Sequence, residues 1–285
     1  MNDLKKISDE IKELLEKKRK DLNLTFEEEK HIYRMKDIDG KIKSNFPSVS
    51  KLIKKFHEPF DSNGKALQMS NGDIEAAQKL LLEWKLAGDY STNMGSRVHY
   101  YLEKEIIGRN GDYKNVRKPI FEVDDTQIKK SDKMIEGGKK FLDLMEERGA
   151  VLLDTEMVLG HPELGYTGQP DKTWLINKKD NNGFGFIVTD WKSNQEKNFQ
   201  PQPYNGYLFK PFQNFRDYAL THYYIQLPLY ARLIIKMLEG TKYENTNLLG
   251  CIVVHLKSDG TFKEYRVPPE INNITLNLNL STYVK

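Results

Sequence analysis

The chain has 285 residues, of which 38% are hydrophobic and 30% are charged, and its formal net charge is only +3. This composition is typical of a globular enzyme with a buried core, and it excludes a strongly basic protein that coats DNA, so any contact with nucleic acid must come from local patches. A single cysteine, Cys251, excludes an intrachain disulfide and a cysteine-rich zinc or iron–sulfur site.

The same features indicate compartment and domain organisation. One cysteine suits a reducing cytoplasm, the N-terminus lacks an apolar signal segment, and no stretch approaches the length of a membrane span. We therefore expect a cytoplasmic protein without a membrane partner. Because there is no internal repeat or low-complexity linker, residues 1–285 are predicted to form one domain.

The first ~90 residues are predicted to form a helical layer on that domain. Residues 3–20 have the spacing of an amphipathic helix, and residues 31–43 resemble a short hairpin around Asp39-Gly40. Ser48 precedes an apolar-periodic run and is predicted to cap a helix. Ser48, Ser50 and Lys51, at the start of that helix, either contact a DNA phosphate or are an ordinary cap with surface residues.

Two helices are predicted next, Ile74–Ala87, capped by Asp73 and ended by Gly88, and a second over residues 92–107. His99 and Glu103 are four residues apart and share one face of the second helix. A histidine beside an apolar stripe is most often a core residue, and the alternative is a metal ligand.

A third helix is predicted over residues 125–148 and is followed by a strand, Val151–Leu159. Glu156 lies on that strand, where it is either a functional carboxylate or one half of an ion pair at the strand edge.

Two further predicted strands carry charged residues near one end. Tyr166–Ile176 contains Pro170-Asp171, and Gly183–Lys192 ends in Asp190-Trp191-Lys192. Because side chains alternate along a strand, Asp190 and Lys192 point to one face. A carboxylate and an ammonium at the end of a buried strand are costly unless they are paired or bound, and metal-dependent hydrolytic sites often present such groups.

Nine aromatic residues lie within residues 199–224, which are broken by three prolines. The segment is predicted to be an ordered loop whose aromatic side chains, including Tyr204, Tyr207 and Phe209, either stack on unpaired bases or form a small core. A helix over residues 217–239 follows and contains Gln226 and Tyr230 on one face. A hairpin of residues 248–256 and 261–267 closes the domain, and the tail, 268–285, alternates weakly like a strand.

Taken in order, Gly95-x-x-x-His99, Glu156, Pro170-Asp171, Asp190-Trp191-Lys192 and Gln226-x-x-x-Tyr230 resemble the PD-(D/E)XK nuclease superfamily. Within it the chain is similar to the RecB-like branch, especially phage RecB-like nucleases and the mitochondrial genome maintenance exonucleases. The resemblance covers residues 46–267. It implies an α/β restriction-endonuclease-like core, with a mixed central sheet flanked by helices, in a bacterial or phage-infected cell.

The resemblance also implies the roles of the residues. His99, Asp171, Asp190 and the backbone carbonyl of Trp191 are expected to bind Mg²⁺ or Mn²⁺. Some relatives carry four cysteines for an iron–sulfur cluster, and because this chain has one, no cluster is expected. The catalytic residues are expected to be Asp171, Asp190, Lys192, Glu156, Gln226 and Tyr230, and the DNA-contacting residues Ser48, Ser50, Lys51, Glu103, Tyr204, Tyr207 and Phe209.

The predicted activity is metal-dependent exonucleolytic cleavage of single-stranded DNA or duplex ends in replication, recombination or repair. A structure-specific or nicking endonuclease, an RNA-directed nuclease and a catalytically silent DNA-binding subunit of a recombination complex are the alternatives. The sequence has no helicase motifs, so unwinding would come from a partner, and the expected partners are DNA and a helicase, recombinase or single-strand-binding protein.

Overall fold

The computed structural model describes residues 2–110, 119–179, 183–203 and 205–284. Seven helices are found in these ranges, and the longest has 36 residues. The helices are α1 (Asn2–Asp21), α2 (Val49–Ile53), α3 (Ser62–Met69), α4 (Ile74–Arg109), α5 (Asp125–Glu147), α6 (Ala219–Leu238) and α7 (Pro269–Leu276).

Ten strands in the same ranges form three sheets, of which the five-stranded one is central. Its order is β10-β9-β8-β7-β4, and the pair β8–β9 is parallel while the other pairs are antiparallel. The strands are β1 (Thr25–Glu27), β2 (Ile32–Lys36), β3 (Ile42–Lys43), β4 (Val151–Thr155), β5 (Leu159–His161), β6 (Tyr166–Gly168), β7 (Lys172–Asn177), β8 (Phe184–Lys192), β9 (Asn247–Leu256) and β10 (Phe262–Arg266).

The predicted α/β architecture with a mixed central sheet flanked by helices is therefore confirmed. The parallel pair follows from the connection between β8 and β9, because α6 carries the chain back across the sheet, as parallel strands require.

Helices cover both faces of this sheet, and each face has its own core. The apolar residues of α6, such as Leu227 and Leu233, pack with Val188 and Val253 on one face. On the other face Trp191 is buried against Phe141 of α5, with 5.3 Å between ring centroids in an edge-on arrangement. Full burial of side chains of this size contributes about 1.5–3 kcal/mol each, so the alternation along β8 fixes which side chains face α6.

The N-terminal region is less purely helical than predicted. The hairpin predicted at residues 31–43 is confirmed as β2 and β3, and β1 adds a third strand to it. Ser48 caps α2 as predicted, and its side chain accepts a hydrogen bond from the Lys51 backbone nitrogen. On the edge of the central sheet α1 lies against β4, where Ser8 Oγ donates to the Leu152 carbonyl at 2.9 Å.

The prediction that Gly88 ends a helix is wrong, because α4 runs unbroken from its Asp73 cap to Arg109. Gly88 lies within α4, with open space where a Cβ atom would be. A glycine in a helix interior costs only about 1 kcal/mol, which a helix anchored by later buried residues tolerates.

Two predicted strands are each broken in two. Residues 151–159 form β4 and β5, and the break is at Glu156, which has a φ of +51° and is therefore not on a strand. Residues 166–176 form β6 and β7, separated by Gln169-Pro170-Asp171, where Pro170 lacks the N–H that a ladder needs. Two hydrogen bonds connect the broken segments. Glu156 N donates to the Asp171 carbonyl at 3.0 Å, and Gln169 Nε2 donates to the Glu156 carbonyl at 2.9 Å.

The C-terminal half agrees more closely with the predictions made from the sequence. The hairpin β9–β10 is confirmed, and α6 begins at Ala219 and continues through Pro228. The tail alternates weakly like a strand in sequence, but residues 269–276 form the helix α7, with a proline in its first turn. None of the described helices is both long and apolar enough to cross a lipid bilayer.

Candidate functional site

The site is organised around Asp171, which lies just before β7 and is 7% exposed. Its Oδ2 accepts a hydrogen bond from the backbone nitrogen of Trp191 at 2.8 Å. This bond joins the Pro170-Asp171 motif to the end of β8. The two motifs that are separated by 20 residues in sequence therefore meet at one sheet edge.

Helix α4 brings His99 to the same place. His99 Nδ1 lies 3.6 Å from Asp171 Oδ2, and the ring lies beside the Trp191 backbone carbonyl. One turn earlier, a Cβ atom at Gly95 would lie 3.2 Å from Ser193 Oγ, tighter than an ordinary contact. Gly95 therefore faces Ser193, the residue after Lys192, and its missing side chain lets α4 approach the end of β8 closely.

Glu156 completes a three-residue group. One potential ligand atom from each of His99, Glu156 and Asp171 lies within 4.8 Å of the others. Glu156 reaches the group because the chain turns out of β4 with a positive φ, a conformation that costs a non-glycine residue on the order of 1 kcal/mol or more. The strained turn directs the carboxylate inward, so the break in the strand is what positions it.

Asp190 and Lys192 lie on the α6 face of β8, as predicted from strand alternation, and form a close ion pair. Asp190 is 3% exposed, and its Oδ2 is the oxygen that contacts the Lys192 ammonium. The Lys192 ammonium also lies 4.6 Å from the centre of the Tyr223 ring. Tyr223 therefore limits where the lysine side chain can move.

Helix α6 supplies the last predicted pair. Gln226 Nε2 donates to the Tyr230 hydroxyl at 2.8 Å, and Tyr230 is buried. Burial, and then the negative charge of Asp190, raises the pKa of Tyr230. The hydrogen bond between these two helix residues fixes the position of the Tyr230 hydroxyl.

Sequence reasoning missed Lys172, which follows Asp171 directly. Its side chain is 1% exposed, and Nζ lies 4.7 Å from the centre of the Trp191 ring. Burial lowers its pKa, and the carboxylates of Asp171 and Glu156 oppose that effect. A lysine within an otherwise apolar strand was the available signal, because a buried ammonium requires nearby negative charge.

The carboxylates of the site differ in protonation. Burial, followed by repulsion from Asp171, raises the pKa of Asp190 to about 7 and that of Glu156 well above its usual value. Burial of Asp171 opposes its ionisation too, but the neighbouring histidine and lysine charges outweigh it and hold its pKa below the usual range. Burial lowers the pKa of His99, and the charge of Asp171 opposes that effect.

These residues fit a divalent cation. Several buried carboxylates repel one another, and the neutral form of the His99 imidazole offers a lone pair. A cation bound among them would relieve the repulsion. Oxygen ligands suit Mg²⁺ and Mn²⁺, and the imidazole favours Mn²⁺.

The predicted DNA-contacting residues do not form one surface feature. Ser48 is buried and uses its hydroxyl as the cap of α2, while Ser50 and Lys51 are exposed at the start of that helix. Tyr207 and Phe209 are 54% and 49% exposed on the loop before α6, whereas Phe199 and Phe212 of the same segment are core residues. Tyr204 lies outside the described residues.

Glu103 is the remaining candidate, and it is half-buried one turn after His99 on α4. Its charge raises the pKa of Glu156 and of Lys172. Its charge therefore acts on the same group of buried residues as Asp171 does.

Comparison of the sequence with models of known protein families gives no match, and no curated protein matches it either. The family resemblance therefore rests on the motifs and on the place where the fold brings them together.

Because Asp190 has a pKa of about 7, metal binding is expected to tighten as pH rises. The folded protein keeps a proton on Asp190 below pH 7, whereas an unfolded aspartate loses it near pH 3.9, and that proton must leave as a cation binds. Glu156 also has a raised pKa, so below pH 7 the affinity for Mn²⁺ should rise more steeply with pH in the wild type than in Asp190→Asn, by up to about tenfold more per pH unit. Calorimetric titration from pH 5.5 to 8.5 tests this, and an equally steep rise in Asp190→Asn would contradict it.

Gly168→Ala is expected to destabilise the protein by about 1–3 kcal/mol. A Cβ atom there would lie 2.6 Å from Cε1 of Tyr230 and 2.8 Å from a Val49 methyl carbon, so the tyrosine ring must move. Urea unfolding measures the loss. Gly250→Ala is the matched control, since no atom lies within 4 Å of a Cβ added in that β9 position, and equal effects of both variants would contradict the packing argument.

Proposed function

We propose that this protein is a metal-dependent DNA exonuclease of the PD-(D/E)XK type, built on a restriction-endonuclease-like core. The observation that carries the proposal is the convergence of His99, Glu156 and Asp171 within 4.8 Å, beside the Asp190–Lys192 ion pair at the end of β8. These are the residues of the ordered motifs, brought from α4, the β4–β5 turn, the start of β7 and the end of β8.

The chemistry needed is the hydrolysis of a phosphodiester bond. A bound Mg²⁺ or Mn²⁺ would polarise the phosphate and lower the pKa of a water molecule. His99, Glu156, Asp171 and Asp190 are the side chains that would hold it, with the Trp191 carbonyl beside them.

The remaining residues act on charge and position. The negative charges of Asp190 and then Asp171 raise the pKa of Lys192 despite its burial, so it stays an ammonium and can stabilise charge that develops on the phosphate or orient the attacking water. Gln226 holds the Tyr230 hydroxyl in place on the α6 side of the site. The Lys172 ammonium offsets part of the negative charge of Asp171 and Glu156. By the family resemblance, the products carry a 5′-phosphate and a 3′-hydroxyl.

Two exposed aromatic side chains support a single-stranded substrate. Tyr207 packs against Arg216, whose guanidinium carbon lies 4.4 Å from the ring centre, and Phe209 is half exposed nearby in the chain. An aromatic face with an adjacent cation suits a base and its phosphate. We propose that unpaired DNA enters along this loop.

The proposal predicts progressive loss of nucleotides from one end of linear DNA. Single-stranded DNA labelled at either terminus, incubated with Mg²⁺ or Mn²⁺, should shorten from one end only, while a covalently closed circle of the same sequence should survive. Asp171→Asn protein is the control for contaminating nuclease.

Other results would redirect the proposal. Cleavage of the circle would identify an endonuclease, and cleavage of RNA alone would identify an RNA-directed enzyme. Binding without cleavage of any of these substrates would overturn the proposal and indicate a silent DNA-binding subunit.

A further inference from the structure

A second cluster of potential ligands lies outside the proposed catalytic group. His57, Asp217 and His222 each offer a ligand atom within 4.8 Å of the others. His57 follows α2, Asp217 precedes α6, and His222 is in the first turn of α6. Two distant parts of the chain therefore converge on one point, and none of the three residues belongs to the family motifs.

The local contacts prepare His57 as a metal ligand. Its Nδ1 lies 3.0 Å from the Glu58 carbonyl oxygen, and because a carbonyl can only accept, Nδ1 carries the proton in that hydrogen bond. In the neutral ring this leaves the lone pair on Nε2. A histidine held by a carbonyl in this way is the usual arrangement behind a metal-bound imidazole.

His222 and Asp217 provide the other donors. His222 Nε2 lies 2.6 Å from Asp217 Oδ1, and Asp217 is itself anchored where its backbone nitrogen donates to the Gly206 carbonyl at 3.0 Å. The rings of His57 and His222 stack with 4.3 Å between centroids and 17° between planes. The lone pairs of stacked rings lie in separate planes, so the rings must turn about their side-chain torsions for both to face one ion.

The cluster opens into a large groove of about 1,150 Å³, which is also lined by Phe60, Lys65 and Trp84. A bound ion would therefore keep a coordination position open to solvent or to a ligand. His222 lies one helical turn before Gln226, so the cluster lies along the same face of α6 as the proposed active site.

We infer that His57, Asp217 and His222 form a second metal site, selective for a transition-metal dication of the Zn²⁺ class. Two nitrogen donors and one carboxylate favour Zn²⁺ over Mg²⁺, which prefers an all-oxygen shell. Zn²⁺ holds such ligands at about 2.0–2.2 Å, so the three atoms, now within 4.8 Å of one another, must move closer around the ion as the imidazole rings turn. The ion would tie the end of α2 to the start of α6.

The test uses the full chain with excess Mg²⁺, so that the catalytic group is occupied by its own cation. Calorimetric titration with Zn²⁺ should show one tight site in the wild type and in the Asp171→Asn, Asp190→Asn double variant. The His57→Gln, His222→Gln double variant should bind Zn²⁺ about 100-fold more weakly or worse. His31→Gln is the matched control, since His31 is exposed and lies in the turn between β1 and β2.

A second measurement remains informative if the histidine variants fold poorly. Co²⁺ added to the wild type should give the visible absorption of a low-coordinate nitrogen-liganded ion, and Zn²⁺ should displace it. Absence of this spectrum in the wild type, or Zn²⁺ affinity unchanged by the His57 and His222 substitutions, would overturn the inference. Loss of the Zn²⁺ site in the Asp171, Asp190 variant would assign that ion to the catalytic group instead. The inference stands apart from the nuclease proposal, because it is read out by binding alone.

Discussion

Replacing Lys192 by methionine is expected to lower kcat for DNA cleavage about 100- to 1,000-fold, the usual effect of removing one group that stabilises developing charge. The side chain lies at the end of β8, close to the Asp190 carboxylate and 4.6 Å from the centre of the Tyr223 ring. Methionine keeps the length and the apolar stem but removes the charge. The expected loss is therefore in kcat rather than in KM.

The variant also changes its neighbour. Asp190 already has a raised pKa, and loss of the ammonium raises it further, so cleavage should be compared on the high-pH plateau of each protein, where that carboxyl is ionised. Single-turnover rates on end-labelled DNA then report the loss of the lysine itself.

Lys257→Met is the matched control. Lys257 follows β9, the neighbouring strand, and its ammonium pairs with Glu196 at 3.2 Å on the surface. Surface ion pairs contribute about 0–1 kcal/mol, so this variant should cleave like the wild type. Undiminished cleavage by Lys192→Met would remove the lysine from the mechanism.

The central sheet was predictable because its strands carry strong local signals. The apolar run from Phe184 to Val188 identifies β8, and the hairpin of β9 and β10 has an Asp-Gly turn at Asp259-Gly260. Strand alternation also placed Asp190 and Lys192 on one face. These features depend on residues that are close in sequence, so the sequence alone indicates them.

The features that were missed depend on residues distant in sequence. The break at Glu156 is stabilised by hydrogen bonds to Gln169 and Asp171. No pattern within residues 151–159 predicts a positive φ at a glutamate. The burial of Lys172 needs the Trp191 ring and the surrounding carboxylates. Local propensity cannot report either, since both are set by tertiary contacts.

The contact between His57 and His222 is another that the sequence does not reveal. The two residues are 165 positions apart, and each has an ordinary local context, one after a short helix and one within an aromatic-rich segment. Only the packing of α2 against α6 joins them. Sites made by elements of separate chain segments are therefore read from the fold rather than from spacing.

Asp171→Asn is expected to weaken Mn²⁺ binding at least about 100-fold and to abolish cleavage. Asp171 is the carboxylate that stays ionised in the metal-free protein, because its pKa is lowered by the neighbouring charges while those of Asp190 and Glu156 are raised. It therefore provides the charge that first attracts a cation. Asparagine keeps the shape and an oxygen but loses that charge.

Asp154→Asn distinguishes this effect from a general loss of buried charge. Asp154 is 9% exposed, close to the 7% of Asp171, and it lies in β4, next to β7 in the sheet. Its carboxylate accepts from the Thr155 backbone nitrogen at 2.9 Å and lies 3.7 Å from the Lys12 ammonium. The control should therefore lose some stability but retain Mn²⁺ affinity in calorimetric titration. If both variants bound Mn²⁺ like the wild type, the cation would not be held at the meeting point of β7 and β8, and the nuclease assignment would lose its physical basis.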